Sequence, residues 1–166
     1  MPDRAATTTQ HRKQQILEVL AKMLEEAPDT RITTARLAAS VGVSEAALYR
    51  HFPSKSKMFE ALLSFAEEAL FARIGRLSSE QVGALNPCQG LLRLYLEVWA
   101  RNPGITRLLT GRALSGEPRP LHQQVAQLDE RLETQLQQSL REAELREGRR
   151  PRLPVATTAN LIMASA

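Results

Sequence analysis

Residues 33 to 57, TTARLAASVGVSEAALYRHFPSKSK, constrain this chain more than any other stretch. Thr33 or Thr34 can cap a helix that runs through Ala35, Leu37, Ala38 and Ala39, because a hydroxyl there accepts a bond from a backbone N–H the helix leaves unpaired. Gly42 follows, and glycine supplies the positive φ of a tight turn without steric cost. Ala38 is small enough for a second helix to cross it closely. Val41, Val43 and Leu48 supply apolar contacts that fix the crossing. Ser44 caps the second helix; Ala47 stands three residues on, so this is a simple cap and not a full capping box. Pro53 ends that helix, since the residue before a proline disfavours the α region. Ser54 caps the next helix. Two short helices, a tight turn and a following helix make a helix-turn-helix, a device that lays its second helix in the DNA major groove.

The face of that second helix is short of base-reading groups. Ser44, Glu45, Ala46, Ala47, Tyr49, Arg50 and His51 include no asparagine or glutamine and one arginine. Ala46 or Ala47 can touch a thymine methyl, Ser44 can meet either base type, and Tyr49 or Arg50 can contact a base or a phosphate. His51 is most simply a phosphate contact or a helix-end residue. Charge favours the backbone. Between Arg31 and Lys57 stand Arg31, Arg36, Arg50, Lys55 and Lys57 against Glu45 alone, a local +4 that equals the net charge of the whole chain. Such concentration is the footprint of phosphate binding. Thr33 and Lys55, each at the start of a helix, are placed to anchor phosphates. The alternative is a pair of core helices with a solvated charged edge.

No strand pattern is present, which makes the chain all-α. Apolar spacing predicts helices over 10–27, over 54–77 and near 88–100, 103–113 and 119–147, with a last one from Leu153 or Val155 to Ala166. Breaks fall at Pro28–Asp29, at 78–87 and in the basic loop 148–154. Residues 1–9 read as a polar arm, either flexible or lying along DNA with the help of Arg4, Arg12 and Lys13. The apolar, small-residue ending TTANLIMASA has no helix stop signal, so the chain is expected either to stop short of its natural end or to need a partner surface there. No run is long enough to span a membrane, and no secretory h-region opens the sequence. One cysteine, Cys88, cannot form an internal disulfide and is expected to be a small buried residue in a reducing cytosol.

On the helix 54–77, Phe59, Leu62, Leu63, Ala66, Leu70, Ile74 and Leu77 form one core stripe. Phe65 lies well off its centre, which suits either a surface groove or cover by another helix. Arg73 sits near the stripe's edge. In the following helix, Arg93, Glu97 and Arg101 form a polar ladder at four-residue spacing, with Leu94 beside it. The histidines His11, His51 and His122 lack metal-ligand spacing, and no nucleophile elbow or phosphate-binding glycine loop is present. No enzyme activity and no cofactor are therefore expected.

The segment LAASVGVSEAALYRHFPSKSKMFEAL resembles the TetR family of dimeric DNA-binding proteins, above all in the tyrosine and phenylalanine flanking Arg50 and His51 and in Pro53, Ser54 and Lys55. With RITTARLAAS before it and RNPGITRLLTGRAL after it, the match is similar to the nucleoid-occlusion branch of that family. The resemblance implies a TetR-like helical bundle, with a DNA-binding domain over 10–57 and a partner-binding and dimerisation domain over 58–166. It implies a cytoplasmic, nucleoid-associated homodimer on double-stranded DNA, able to assemble further, that inhibits division by binding the C-terminal tail of FtsZ. Its expected DNA contacts are Thr33, Ser44, Ala46, Tyr49, Arg50, His51, Lys55 and Lys57. Its expected tail contacts are Phe65, Arg73, Leu94, Arg101 and Asn102, with Glu97 a departure where relatives of that branch are expected to carry a small residue. Two other readings stand beside it. A TetR-type repressor would need an apolar effector pocket, which Tyr95 and Trp99 can line. An architectural DNA protein would bind with little sequence preference and a steep salt dependence.

Overall fold

A computed structural model describes the chain over residues 4–26, 30–80, 87–147 and 153–164. Every regular element among the described residues is helical: α1 (Arg4–Glu26), α2 (Thr34–Val41), α3 (Glu45–His51), α4 (Lys55–Glu80), α5 (Pro87–Arg101), α6 (Pro103–Leu109), a single 3-10 turn (Arg112–Leu114), α7 (Arg119–Glu147) and α8 (Val155–Ala164). Helix order and type follow the apolar spacing. Three boundaries differ. The helix expected over 103–113 stops at Leu109, because Gly111 takes a left-handed turn at φ 71° before the 3-10 turn. The expected arm 1–9 is helical from Arg4 onward, because α1 extends several residues before its apolar stripe begins. α4 runs on to Glu80, since nothing before that residue breaks a helix. The expected breaks at Pro28–Asp29 and across 148–152 lie outside the described residues, as do the side chains of Cys88 and Leu77.

The described residues form two compact units. One runs up to Ala66 and takes in Asn102–His122; the other comprises Glu67–Arg101 and the residues from Gln123 on. These units do not follow the expected division at residue 57, because α6 returns to pack on α1. The close approach is made at Gly104, where a Cβ would stand 2.4 Å from the carbonyl oxygen of Ala21 and 2.9 Å from the amide nitrogen of Glu25. Arg107 then donates from Nη1 to the carbonyl of Leu24 at 2.6 Å, satisfying an acceptor in the last turn of α1.

The first unit's core collects Ile16 and Leu20 from α1, Leu37 from α2, Leu48 from α3, Met58, Phe59, Leu62 and Leu63 from α4, Leu108 from α6 and Leu114 from the 3-10 turn, all nearly inaccessible to water. Three short helices thus hang on two longer ones, which is how an eight-residue α2 and a seven-residue α3 are stable at all. In the second unit, Val125, Leu128, Leu132 and Leu136 form the buried seam of α7. Phe71 of α4 lies under the Arg131 guanidinium, 4.3 Å from its ring centroid, while Arg131 also pairs with Glu67. No helix among the described residues is long and apolar enough to cross a membrane.

Candidate nucleic-acid interface

The cap ambiguity at the start of α2 resolves into two jobs. Thr33 is the cap: its Oγ1 accepts from the Arg36 amide at 3.3 Å. Thr34 instead joins the two motif helices. Its hydroxyl donates to Oε2 of Glu45 at 2.7 Å and accepts from the Tyr49 hydroxyl at 3.3 Å. Gly42 ends α2 at φ 77°, with its N–H on the carbonyl of Ala39 and that of Val43 on the carbonyl of Ala38. That left-handed turn sets α3 across α2. Ser44 then caps α3 by accepting from the Ala47 amide at 3.2 Å. Leu48 is sealed in the core on the opposite side from the reading face.

This geometry sorts the expected contacts. Ala46 and Arg50 are exposed on α3, and Tyr49 is 42 % exposed although its hydroxyl is tied to Thr34. Ala47 is half-buried, so Ala46 is the methyl available to a base edge. Thr33 and Ser44 are exposed at the helix starts, with their hydroxyls committed as caps. His51 is half-buried, and its Nδ1 is sealed from solvent with no hydrogen-bond partner, so that nitrogen is not on the outer face.

The cations differ from the expectation most. Lys55 is not free: its Nζ stands 2.6 Å from Oε1 of Glu117. Lys57 pairs with Glu60 at 2.5 Å, one turn along the same helix. No side-chain hydrogen bond or ion pair among the described residues engages Arg31, Arg36 or Arg50, and all three are exposed. Three arginines are thus unpaired among the described residues, and of the two lysines only Lys55 is held by a buried carboxylate. Glu60 stands three residues after Lys57 on the same helix, a local pairing. Glu117 is remote in sequence, and no local signal points to it.

Residues 16–62 match the bacterial regulatory proteins of the tetR family, and residues 83–166 match the tetracyclin repressor-like C-terminal domain of SlmA-like type. The nucleoid occlusion factor SlmA of Alteromonas mediterranea is 54 % identical over 92 % of this chain and 78 % of its own length. That of Shewanella pealeana is 52 % identical over 98 % of this chain and 82 % of its own. The chain belongs to the SlmA family of nucleoid occlusion factors. Membership of the wider TetR group implies DNA binding and dimerisation. Solved TetR structures share the fold. The regulator PfmR of Thermus thermophilus superposes with a TM-score of 0.69 at 24 % identity, covering 90 % of this chain and 80 % of its own. The ketosteroid regulator KstR2 of Mycobacterium tuberculosis gives 0.71 at 23 % identity, covering 93 % and 79 %.

The partner candidates of this SlmA-family chain also sort by exposure. In the first unit, Phe65 is 49 % exposed, which suits a surface contact and not the core stripe. Asn102 is exposed and precedes Pro103 at the start of α6, its carbonyl accepting from the Thr106 amide at 2.8 Å. In the second unit, Glu97 accepts from Nε of Arg93 at 2.9 Å and pairs with Arg73 at 3.8 Å. The hydrogen bond from Arg93 is the main reason its carboxyl stays below the usual carboxylate range, with the charges of Arg93, Arg101 and Arg73 adding to it. Leu94 corrects the expectation: it is only 4 % exposed and faces Leu70 and Ile74, so it cannot line a surface groove. Two residues along, Leu96 is 49 % exposed and borders an open depression with Leu92, Glu97 and Arg101. The two leucines lie on different sides of α5, and the core takes the side of Leu94.

The second unit holds a small apolar cavity of about 20 Å³ beside Leu70, Ile74, Leu94, Tyr95, Leu132 and Leu136. That is space for about one water, against roughly 300–1,000 Å³ for an effector site. Tyr95 lines this cavity and meets Trp99 edge-to-face at 5.2 Å. Burial, with the charge of Asp129 adding, pushes the Tyr95 phenol up to about 12. Half-buried and held neutral, that phenol packs against Trp99.

Proposed function

We propose that the chain is a sequence-specific DNA-binding inhibitor of cell division that lays α3 in the major groove and binds the C-terminal tail of FtsZ through a separate surface. The observation that carries the DNA half is the set of exposed, unpaired arginines, Arg31, Arg36 and Arg50, around a capped α3 that offers Ala46, Tyr49 and Ser44 outward. Arg36 and Arg31 serve phosphates, and Arg50 serves a phosphate or a guanine edge. Two chains reading successive grooves would match a near-palindromic site. Residues 10–57 are thus the DNA-reading part, and 58–166 carry partner binding and dimerisation.

For the tail, the proposed contacts are Phe65, Arg73, Arg101 and Asn102, each exposed within its own unit. Cations suit a peptide carrying carboxylates, and an exposed ring suits its apolar residue. DNA would raise the local density of chains, and several tails could then be captured by avidity. The test separates the two halves. Thr33→Ala removes the α2 cap and is expected to weaken DNA binding several-fold, with tail-peptide affinity unchanged by fluorescence anisotropy. Phe65→Ala and Arg101→Glu are each expected to weaken the tail peptide at least tenfold and to leave DNA affinity within a factor of two. If each variant loses both activities together, the surfaces are not separate.

A further inference from the structure

We infer that Glu117 is a built-in competitor for DNA phosphate, and that it holds Lys55 and Ser56 out of the interface. The inference rests on the DNA-binding reading above. Its residues all belong to the first unit. Oε1 of Glu117 meets Nζ of Lys55 at 2.6 Å, and Oε2 accepts from the Ser56 hydroxyl at 3.1 Å. A carboxylate that receives an ammonium and a hydroxyl in the first turn of a helix makes the contacts a phosphate would make there.

Burial distinguishes this pair from an ordinary surface bridge. The side chains of Lys55 and Glu117 are 24 % and 7 % exposed, whereas Lys57 in its pair with Glu60 is 56 % exposed. Lys57 can leave its partner at little cost, because exposed pairs contribute almost nothing. Glu117 cannot be abandoned so easily, because a sealed carboxylate without its cation is strongly unfavourable. Lys55 is held further by the Phe59 ring, 5.3 Å below it. Glu117 itself is fixed by its amide, which donates to the carbonyl of Leu114 at 2.9 Å, and Leu114 is wholly buried. Gly116, at φ 80°, gives the chain the turn that aims residue 117 at α4. Phosphate offered to Lys55 therefore exchanges one anion for another and gains little.

The salt dependence of DNA binding reads this directly, because each phosphate contact adds about 0.9 to the slope of log K against log salt. The full chain is titrated with a duplex by anisotropy between low and physiological salt, each variant first shown folded by thermal melting. Lys55→Gln keeps a donor to Glu117 and is expected to leave the slope unchanged. Glu117→Gln frees Lys55 and is expected to steepen the slope by about 0.9 and tighten binding about fivefold at 0.15 M salt. The double variant should return to the parent slope. A slope shallower by about 0.9 in Lys55→Gln alone would overturn the inference, since Lys55 would then already be on a phosphate. So would a Glu117→Gln slope equal to the parent's. Should Glu117→Gln not fold, Lys55→Gln decides alone. Failure of the parent chain to bind any duplex would instead sink the DNA reading.

Discussion

Gly104→Ala is expected to destabilise the chain by about 3 kcal/mol and to lower its melting temperature by about 6–12 °C, the upper end of what overpacking costs in a chain of this size. Two effects oppose each other. Alanine favours a helix over glycine by up to about 1 kcal/mol. Against that, the new Cβ would lie 2.4 Å from the Ala21 carbonyl oxygen and 2.9 Å from the Glu25 amide nitrogen. Both are backbone atoms in the last two turns of α1, so neither can rotate away as a side-chain tip would. The whole of α6 must back off, and the Arg107 bond to Leu24 lengthens with it. Propensity therefore loses. Calorimetry on Gly104→Ala and on the Gly75→Ala control, where a Cβ meets nothing, is the measurement. If both variants melt alike, the α1–α6 crossing is looser than described.

The contrast between these glycines shows what the sequence could and could not disclose. Gly42 was legible because a turn glycine sits between two capped apolar patterns, and both caps are local. Gly104 was not, since its requirement comes from α1, some eighty residues earlier in the chain. The helices were legible for the same reason as Gly42: periodicity, Pro53, Pro103 and the Ser and Thr caps act within a few residues. The sorting of the site was not. Thr34 and Tyr49 are fifteen residues apart, and their hydrogen bond depends on how α3 crosses α2. Lys55 looked like a free cation until Glu117 came to it from another element. Leu94 and Leu96 differ only in which side of α5 the core takes, and amphipathic spacing on a helix that is mostly apolar fixes that poorly.

Replacing both Arg36 and Arg50 by alanine is expected to weaken duplex binding about 30-fold at 0.15 M salt and to make the salt slope shallower by about 1.8, if each gives up one phosphate. The two arginines are exposed and make no side-chain bond or ion pair with described residues, so their removal exposes no orphaned partner. Surface substitutions of this kind change stability by less than about 0.5 kcal/mol, and melting should confirm that. The single variants divide the roles. Arg36 lies on α2, away from the reading helix, and its loss should weaken cognate and scrambled duplexes alike. Arg50 lies on α3. If it reaches a guanine edge, its loss costs about 1–3 kcal/mol on the cognate site and much less on the scrambled one. Equal losses on both duplexes would make Arg50 a phosphate contact and leave sequence reading to Ala46, Ser44 and Tyr49. A salt slope that does not move in the double variant would show that these arginines face away from DNA, and the orientation proposed for α3 would fail with them.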